Sequence, residues 1–357
     1  MKHSAEIQRG PLTEAPTIDD LPAPPEGKTG WPWTSGSRAL PAKRSDGTEW
    51  PLVTVVTPSY NQAEFLEETI RSVLLQGYPS LEYLVIDGGS DDGSVDIIRK
   101  YEPWLAHWVS EADDGQSDAI NKGFRRATGE VQAWLNSDDV YFPDTLGQAV
   151  LEMEQQDVDI LIGGMEKFTV REGDYVALSR SSGADGVPLH AYPIFKASEK
   201  NRPFHFMQPP MFWRRWVWER TDGLDKDFHW VMDIEWCTRA VEVGATVGTC
   251  RTLFAKFRLH GASKTELFNH RQHNEQSRFY RSLMGRPEYR SFPLWLASQK
   301  ARAKALAIEA RLNIDDGAAF RGTLQHVRSL IMRILLRPFR STPLLGSGRQ
   351  MLDSSPG

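Results

Sequence analysis

The chain has 357 residues, with 42 Lys and Arg against 47 Asp and Glu, a formal charge of −5, two cysteines and 40 % apolar residues. These values are ordinary for a globular protein and exclude global disorder, a collagen-like repeat and a disulfide scaffold. Cys237 and Cys250 are too few for a zinc site or a disulfide framework, and the mild negative charge gives no reason to expect nucleic acid as a partner.

The first 52 residues lack the apolar run of a secretory leader, and no window reaches the roughly 20 apolar residues a spanning helix needs. A cytoplasmic location is the expectation. Residues 1–50 are rich in Pro and Gly around Trp31 and Trp33, which predicts an extended arm whose tryptophans dock on the body. An interaction tail is the alternative.

Regular structure starts at Leu52. The run Leu52 to Val56 reads as a strand buried on both faces. Asn61 followed by Glu64 suggests a capping box, opening a helix with the stripe Leu66, Ile70, Val73 and Leu74, which Tyr78-Pro79 stops. Strands are then expected at Leu81 to Ile86, His107 to Ser110, Val131 to Leu135 and Asp159 to Ile162. Helices are expected at Val95 to Tyr101, Asp118 to Thr128 and Pro143 to Glu154. Further on, a hairpin is predicted around Glu172-Gly173-Asp174, a loop-like stretch over Arg180 to Arg202, and helices at Trp213 to Arg220 and Asp233 to Val243. One or two strands follow within Thr246 to Leu259, then helix to about residue 340.

Strands alternating with helices predict an α/β fold with a mostly parallel sheet flanked by helices. In such sheets ligands lie beyond the carboxyl ends of the strands. Those ends carry Thr57-Pro58-Ser59-Tyr60-Asn61, Asp87-Gly88-Gly89-Ser90 and Asn136-Ser137-Asp138-Asp139, so polar and acidic groups converge on one rim. Adjacent carboxylates such as Asp138 and Asp139 repel unless a cation lies near, and hard oxygen donors suit Mg²⁺ or Mn²⁺. Asp87 can accept from a nucleobase N–H or form an Asx-turn with its own loop. Asp233 falls on the inward side of its helix, with Trp236, Ala240 and Val243 as the expected buried stripe, or else caps it. His260, after a strand and before Gly261, is placed to reach a metal or a phosphate.

Taken together these segments resemble the family 2 glycosyltransferases of GT-A fold, over about residues 50–265. The carriers are Thr57 to Asn61, Val85 to Gly93, Asp113 to Gly123, Trp134 to Asp139, Met232 to Trp236 and Phe257 to His260. The resemblance implies a nucleotide-binding set of Thr57, Pro58, Tyr60, Asp87 and Asp138. It implies Mn²⁺ or Mg²⁺ held by Asp139, Asp138 and His260, and Asp233 as catalytic base. Met232 replaces the first acid of the family's E-D pair, and Asn136 replaces the first Asp of its D-S-D-D form, leaving open which of Asp138 and Asp139 holds the metal. Asp118 and Asn121 are candidates for the donor sugar, Asp118 having helix capping as its alternative, and Gln208 for the acceptor side. The implied activity is inverting transfer of one sugar from a nucleotide-diphosphate sugar, UDP ahead of GDP or dTDP, to a saccharide or lipid-linked acceptor in polysaccharide or glycolipid synthesis. A non-catalytic nucleotide-sugar-binding or scaffold protein on the same fold is the alternative. A dehydrogenase lacks its glycine fingerprint here, and a nucleotidyltransferase its basic glycine-rich loop.

Residues 266–357 are expected to form a helical extension. From Gly317 to Leu352 there are six arginines and no acids, with Leu324, Val327, Ile331, Ile334 and Leu335 on one stripe. A basic amphipathic helix suits the anionic inner face of a membrane, and docking on the catalytic domain is the alternative.

Overall fold

The computed structural model describes residues 5–171, 173–185, 207–261, 269–286 and 292–315. The basic stretch at 317–352 and most of the stretch at 180–202 lie outside them. Two compact units are present, one built from residues 1–186 and 197–268 and one from 187–196 and 269–357.

The first unit is centred on a mixed sheet in the order β1-β4-β3-β2-β5-β9-β7-β10-β6, with β8 paired to β7. Its nucleus is β2 (Val53–Ser59) between β3 (Leu81–Asp87) and β5 (Val131–Trp134), all parallel and every residue buried. β4 (His107–Ser110) extends this parallel group beyond β3. Helices α1 (Ala63–Leu74), α2 (Ser94–Tyr101), α3 (Gln116–Phe124) and α4 (Thr145–Gln156) alternate with the strands. The expected stripe Leu66, Ile70, Val73 and Leu74 of α1 is buried. α3 lies so close to β2 that a Cβ on Gly123 would stand 2.5 Å from Val56 Cγ1, which makes glycine necessary there.

Three local expectations are corrected. α1 has no capping box: Gln62 is its N-cap with no side-chain bond, and Asn61 adopts φ 51°. The first amides are met from the next loop, Ala63 N donating to Asp92 Oδ2 at 2.8 Å and Gln62 N to Ser94 Oγ at 3.2 Å. The expected helix at Trp213 begins as a strand, β9 (Met211–Arg214), inserted antiparallel between β5 and β7 (Ile160–Arg171), and only then becomes α5 (Arg215–Thr221). Val243 follows the last turn of α6 (Met232–Glu242) and is exposed, whereas Trp236 and Ala240 are buried as expected.

The expected hairpin is β7 with β8 (Asp174–Ser182), and β10 (Val247–Arg258) runs parallel to β7 and antiparallel to β6 (Val140–Tyr141). Trp134, Trp213, Trp218 and Trp236 form one cluster, with centroids 5.3 Å apart for Trp134–Trp213 and 4.9 Å for Trp213–Trp236. It anchors α5 and α6 to β5 and β9.

The N-terminal arm is docked. β1 (Ala5–Gln8) adds to the edge of β4, Trp33 is buried, and Trp31 Nε1 donates to Tyr141 O at 2.8 Å. The fully buried guanidinium of Arg71 donates to Pro22 O, Pro32 O, Trp33 O and Tyr101 Oη at 2.7–3.0 Å. Four of the five guanidinium N–H donors are thereby engaged, which makes a cation with no ion pair among the described residues tolerable in the interior.

In the second unit α7 (Asn269–Met284) packs on α8 (Phe292–Asp315), burying Phe279, Tyr280 and Leu283 of one and Ala301 and Ala305 of the other. No helix among the described residues is long and apolar enough to cross a membrane.

Candidate active site

Asp138 and Asp139 follow β5 on a tight turn, Asp139 N donating to Asn136 O at 3.1 Å. Their side chains part. Asp139 is fully buried, its Oδ1 accepting from Arg258 N at 3.1 Å and its Oδ2 from Asn136 Nδ2 at 3.3 Å. Burial, and then the adjacent Asp138 carboxylate, push Asp139 well above the usual carboxylate range. Asp138 faces the rim, its Oδ2 3.0 Å from His260 Nε2, both side chains partly exposed.

His260 reaches Asp138 because the end of β10 is fastened twice. Besides the bond from Arg258 N to Asp139, Arg258 Nε donates to Asp138 O at 2.9 Å, and its Nη2 pairs with Glu68 Oε2 at 2.9 Å. The guanidinium lies between the rings of Phe65 and Phe168, at 4.9 and 4.6 Å from their centroids. The His260 ring rests on Phe65, centroids 4.4 Å apart. Among the described residues no group of three or more His, Cys, Asp or Glu side chains gathers as a metal cage. The pair Asp138 and His260 still fits a hard divalent ion, because Mg²⁺ and Mn²⁺ complete their shells with substrate phosphate and water. Asp139, by contrast, is enclosed, with its carboxylate bonded to Arg258 N and Asn136 Nδ2.

Asn136 is the hub of an amide network. Its Oδ1 accepts from Gln116 Nε2 at 2.8 Å, and its Nδ2 faces both Asp139 and Gln208 Oε1, the latter at 3.4 Å. Gln208 is buried and donates to Trp134 O at 2.9 Å, which puts it beneath the acid turn.

On the other side of the rim, Asp87 is completely enclosed. Its Oδ2 accepts from Gly89 N, Ser90 N and Ser110 Oγ, and its Oδ1 from Ser90 Oγ, so the Asx-turn is the arrangement observed. Thr57 is buried with its Oγ1 3.0 Å from Tyr83 Oη, and Pro58 is buried beside it, so both lie behind the rim. Tyr60 is 62 % exposed. Its ring and the Asp113 carboxylate close over Gly88, where a Cβ would meet them at 3.2 and 2.8 Å. Asp113 is half-buried, and that burial raises its pKa.

Asp233 is the second residue of α6 and not its N-cap, which is Val231; its Oδ1 accepts from Ile234 N at 2.8 Å. Asp118 and Asn121 face the segment leading into α6. Asp118 lies between Lys226 Nζ at 3.4 Å and Lys122 Nζ at 3.6 Å. Burial opposes its ionisation, but the Asp114 amide and the two ammonium groups prevail and hold it below the usual range. The Asn121 amide donates to Leu224 O and accepts from Leu224 N, both at 2.9 Å, so both of its functions are engaged by backbone. Arg258, Gln116 and Ser117 lie inside the segments Phe257 to His260 and Asp113 to Gly123 without a role assigned to them from the sequence, and Lys226 lies outside every such segment.

A central sheet whose nucleus is parallel, with helices on its faces and acid-bearing loops gathered at one strand-end rim, is the GT-A architecture of nucleotide-diphospho-sugar transferases. Residues 54–220 match the family described as Glycosyl transferase family 2, so the chain carries a glycosyltransferase domain of that family. The chain is similar to the uncharacterized glycosyltransferase alr2836 of Nostoc sp., 30 % identical over 220 residues, covering 59 % of this chain and 66 % of the relative. It is also similar to the putative teichuronic acid biosynthesis glycosyltransferase TuaG of Bacillus subtilis, 43 % identical over 103 residues, which are 28 % of this chain and 41 % of TuaG. The chain thus spans less than two thirds of either relative. Among solved structures, the mannosyltransferase PcManGT of Pyrobaculum calidifontis, in complex with GDP-Man and Mn²⁺, superposes with TM-score 0.53 at 21 % identity, over 82 % of this chain and 89 % of that one. S. aureus TarS in complex with UDP-GlcNAc gives 0.52 at 14 % identity, over 81 % and 91 %. At such identities the likeness is one of fold.

Proposed function

We propose that this protein transfers a single sugar from a nucleotide-diphosphate sugar to an acceptor hydroxyl, with inversion at the anomeric carbon, in the assembly of a surface polysaccharide or glycolipid. The observation that carries the reading is the division of labour in the acid turn: Asp138 and His260 meet at the rim, 3.0 Å apart, while Asp139 is turned inward to hold β10. Such a pair is suited to a Mn²⁺ or Mg²⁺ ion, which when bound offsets the charge on the departing diphosphate. The names of TuaG and of the two solved structures support a polysaccharide product and a nucleotide-sugar donor.

The chain's own residues do the rest. Tyr60 offers an exposed ring beside Gly88, where backbone can approach a nucleobase closely. Asp87 builds that loop by accepting its amides, and Thr57 and Pro58 support it from behind. Asp233 takes the proton of the acceptor hydroxyl as its oxygen forms the bond to the anomeric carbon. The bond from that carbon to the diphosphate breaks on the opposite face, and its electron pair leaves with the phosphate oxygen. Gln208 orders the acid turn from below through Asn136.

A melting-temperature panel tests the reading. UDP, GDP and dTDP are added with and without Mn²⁺, since a ligand of the folded state raises the transition. One nucleotide should raise it markedly, and more with Mn²⁺. Asp233→Asn should keep that shift while losing release of nucleoside diphosphate from the matching sugar donor. No shift with any nucleotide would end the proposal.

A further inference from the structure

We infer that α3 is the rail that positions Asp233: Ser117, Asp118 and Asn121 grip the incoming segment 224–232, setting where the base stands. The inference rests on the reading of Asp233 as base. Three side chains within five residues of one helix hold four points on a segment more than a hundred residues away. Asn121 fixes Leu224 by a two-way bond to its backbone at 2.9 Å each way. Asp118 takes Lys226 Nζ at 3.4 Å, and Asp114, just before the helix, takes the same ammonium at 3.0 Å. Ser117 Oγ lies 3.1 Å from Phe228 O and 2.8 Å from the sulfur of Met232, the residue directly before Asp233.

Met232 is buried, and its thioether packs on Ser117, a setting in which an unpaired carboxylate would be desolvated. The same loop is fastened from the other side by Arg239 of α6. Its Nη2 donates to Gly223 O at 2.7 Å while its Nε holds Glu235 at 2.8 Å. Gly223 stands at φ 72°, and a Cβ there would lie 2.6 Å from Asn121 Oδ1, so the turn and the clamp are fitted to each other. α3 itself is seated on β2 through Gly123. The rail therefore ties the base to the strand that carries the nucleotide-side loop. Small misplacement of a reacting group is costly: about 1 Å can lose on the order of a hundredfold in rate. Ser117, Asp118 and Asn121 are thus positioning residues, acting through Asp233.

The test compares Ser117→Ala, Asn121→Ala and Asp233→Asn in the full chain. It uses the UDP or GDP sugar that binds in the panel above, with Mn²⁺, and reads nucleoside diphosphate release together with hydrogen exchange of residues 224–234. The two alanine variants should lower kcat by roughly ten- to a hundredfold, keep KM for the donor within about twofold, and exchange faster at 224–234. A sugar-contact role would instead raise KM and leave that exchange unchanged, and this result overturns the inference. So does unchanged kcat in both alanine variants while Asp233→Asn is inactive, which refutes the rail and leaves the base reading intact. Full turnover by Asp233→Asn refutes the base reading, and the rail with it. Should one alanine variant fail to fold, Lys226→Ala against Lys226→Arg asks the same question from the exposed end, with Arg expected to restore the lost kcat.

Discussion

The side-chain amide of Asn136 stands beside the enclosed carboxylate of Asp139, with Asn136 Nδ2 3.3 Å from Asp139 Oδ2 and Asn136 Oδ1 receiving Gln116 at 2.8 Å. An amide can accept on one side and donate on the other, which a carboxylate at position 136 cannot. Asn136→Asp would set a third carboxylate against Asp139, whose pKa is already raised by burial and by Asp138. The expected outcome is a loss of about 1–3 kcal/mol at neutral pH, read from the urea midpoint, with partial recovery in mild acid as the added charge is neutralised. Unchanged stability would show that the amide network is not what holds the turn.

The two adjacent acids should respond differently to substitution. Asp138→Asn or His260→Ala should abolish the extra melting-temperature shift that Mn²⁺ gives with the bound nucleoside diphosphate. Asp139→Asn should retain that shift, because an amide oxygen can still accept from Arg258 N and the burial of a charge is relieved. Loss of the Mn²⁺ response in Asp139→Asn alone would reverse the assignment of the two.

This asymmetry marks the boundary of what the sequence makes legible. Strands and helices with strong apolar periods, such as β2, β3 and α1, are readable because burial of one face or two is a local pattern. The convergence of Asp87 and Asp138 on a rim is readable too, since strand ends in an α/β sheet share one side. The different orientations of Asp138 and Asp139 are not readable, for they depend on Arg258, which lies 119 residues beyond Asp139 and is brought up by β10. Asn121 is hidden in the same way, its partner Leu224 being 103 residues distant. α1 looked capped by Asn61 because the true donor-acceptor pairing uses Asp92, 29 residues after Ala63. β9 was concealed by length: four residues of strand running directly into α5 give no period that separates them from helix.

The arm is part of the folded unit, and Arg71 is the reason. Arg71→Met removes the donors to Pro22 O, Pro32 O, Trp33 O and Tyr101 Oη and leaves those acceptors enclosed. A loss of about 3 kcal/mol or more is expected. Trypsin should then cut at Lys28 and Arg38 well before it cuts the sheet. Arg71→Lys should behave almost as badly, because one ammonium cannot reach the planar spread of acceptors that the guanidinium serves. Equal protease resistance of Arg71→Met and the parent chain would mean that Trp33 and β1 hold the arm without it.

Asp118 should make the rail sensitive to acid. Its folded pKa lies below the ordinary 3.8, since the Asp114 amide, Lys226 and Lys122 outweigh its burial. The unfolded chain therefore binds the proton more readily than the folded one, so stability rises with pH across this range. The contribution is fully present above the unfolded carboxylate pKa and is lost as pH falls through the lower folded value. Melting temperatures of the parent and Asp118→Asn should accordingly differ most at pH 6–7, a window about two units or more above the unfolded carboxylate pKa. The gap should narrow steadily below about pH 4 as the parent's carboxylate is protonated. High salt should shrink it as well, because Lys226 is half-exposed and its pairing with Asp118 is screened. A gap that stayed constant from pH 7 to pH 3 would show that Asp118 acts there by shape and hydrogen bonding alone, with no charge carried between α3 and the segment leading to Asp233.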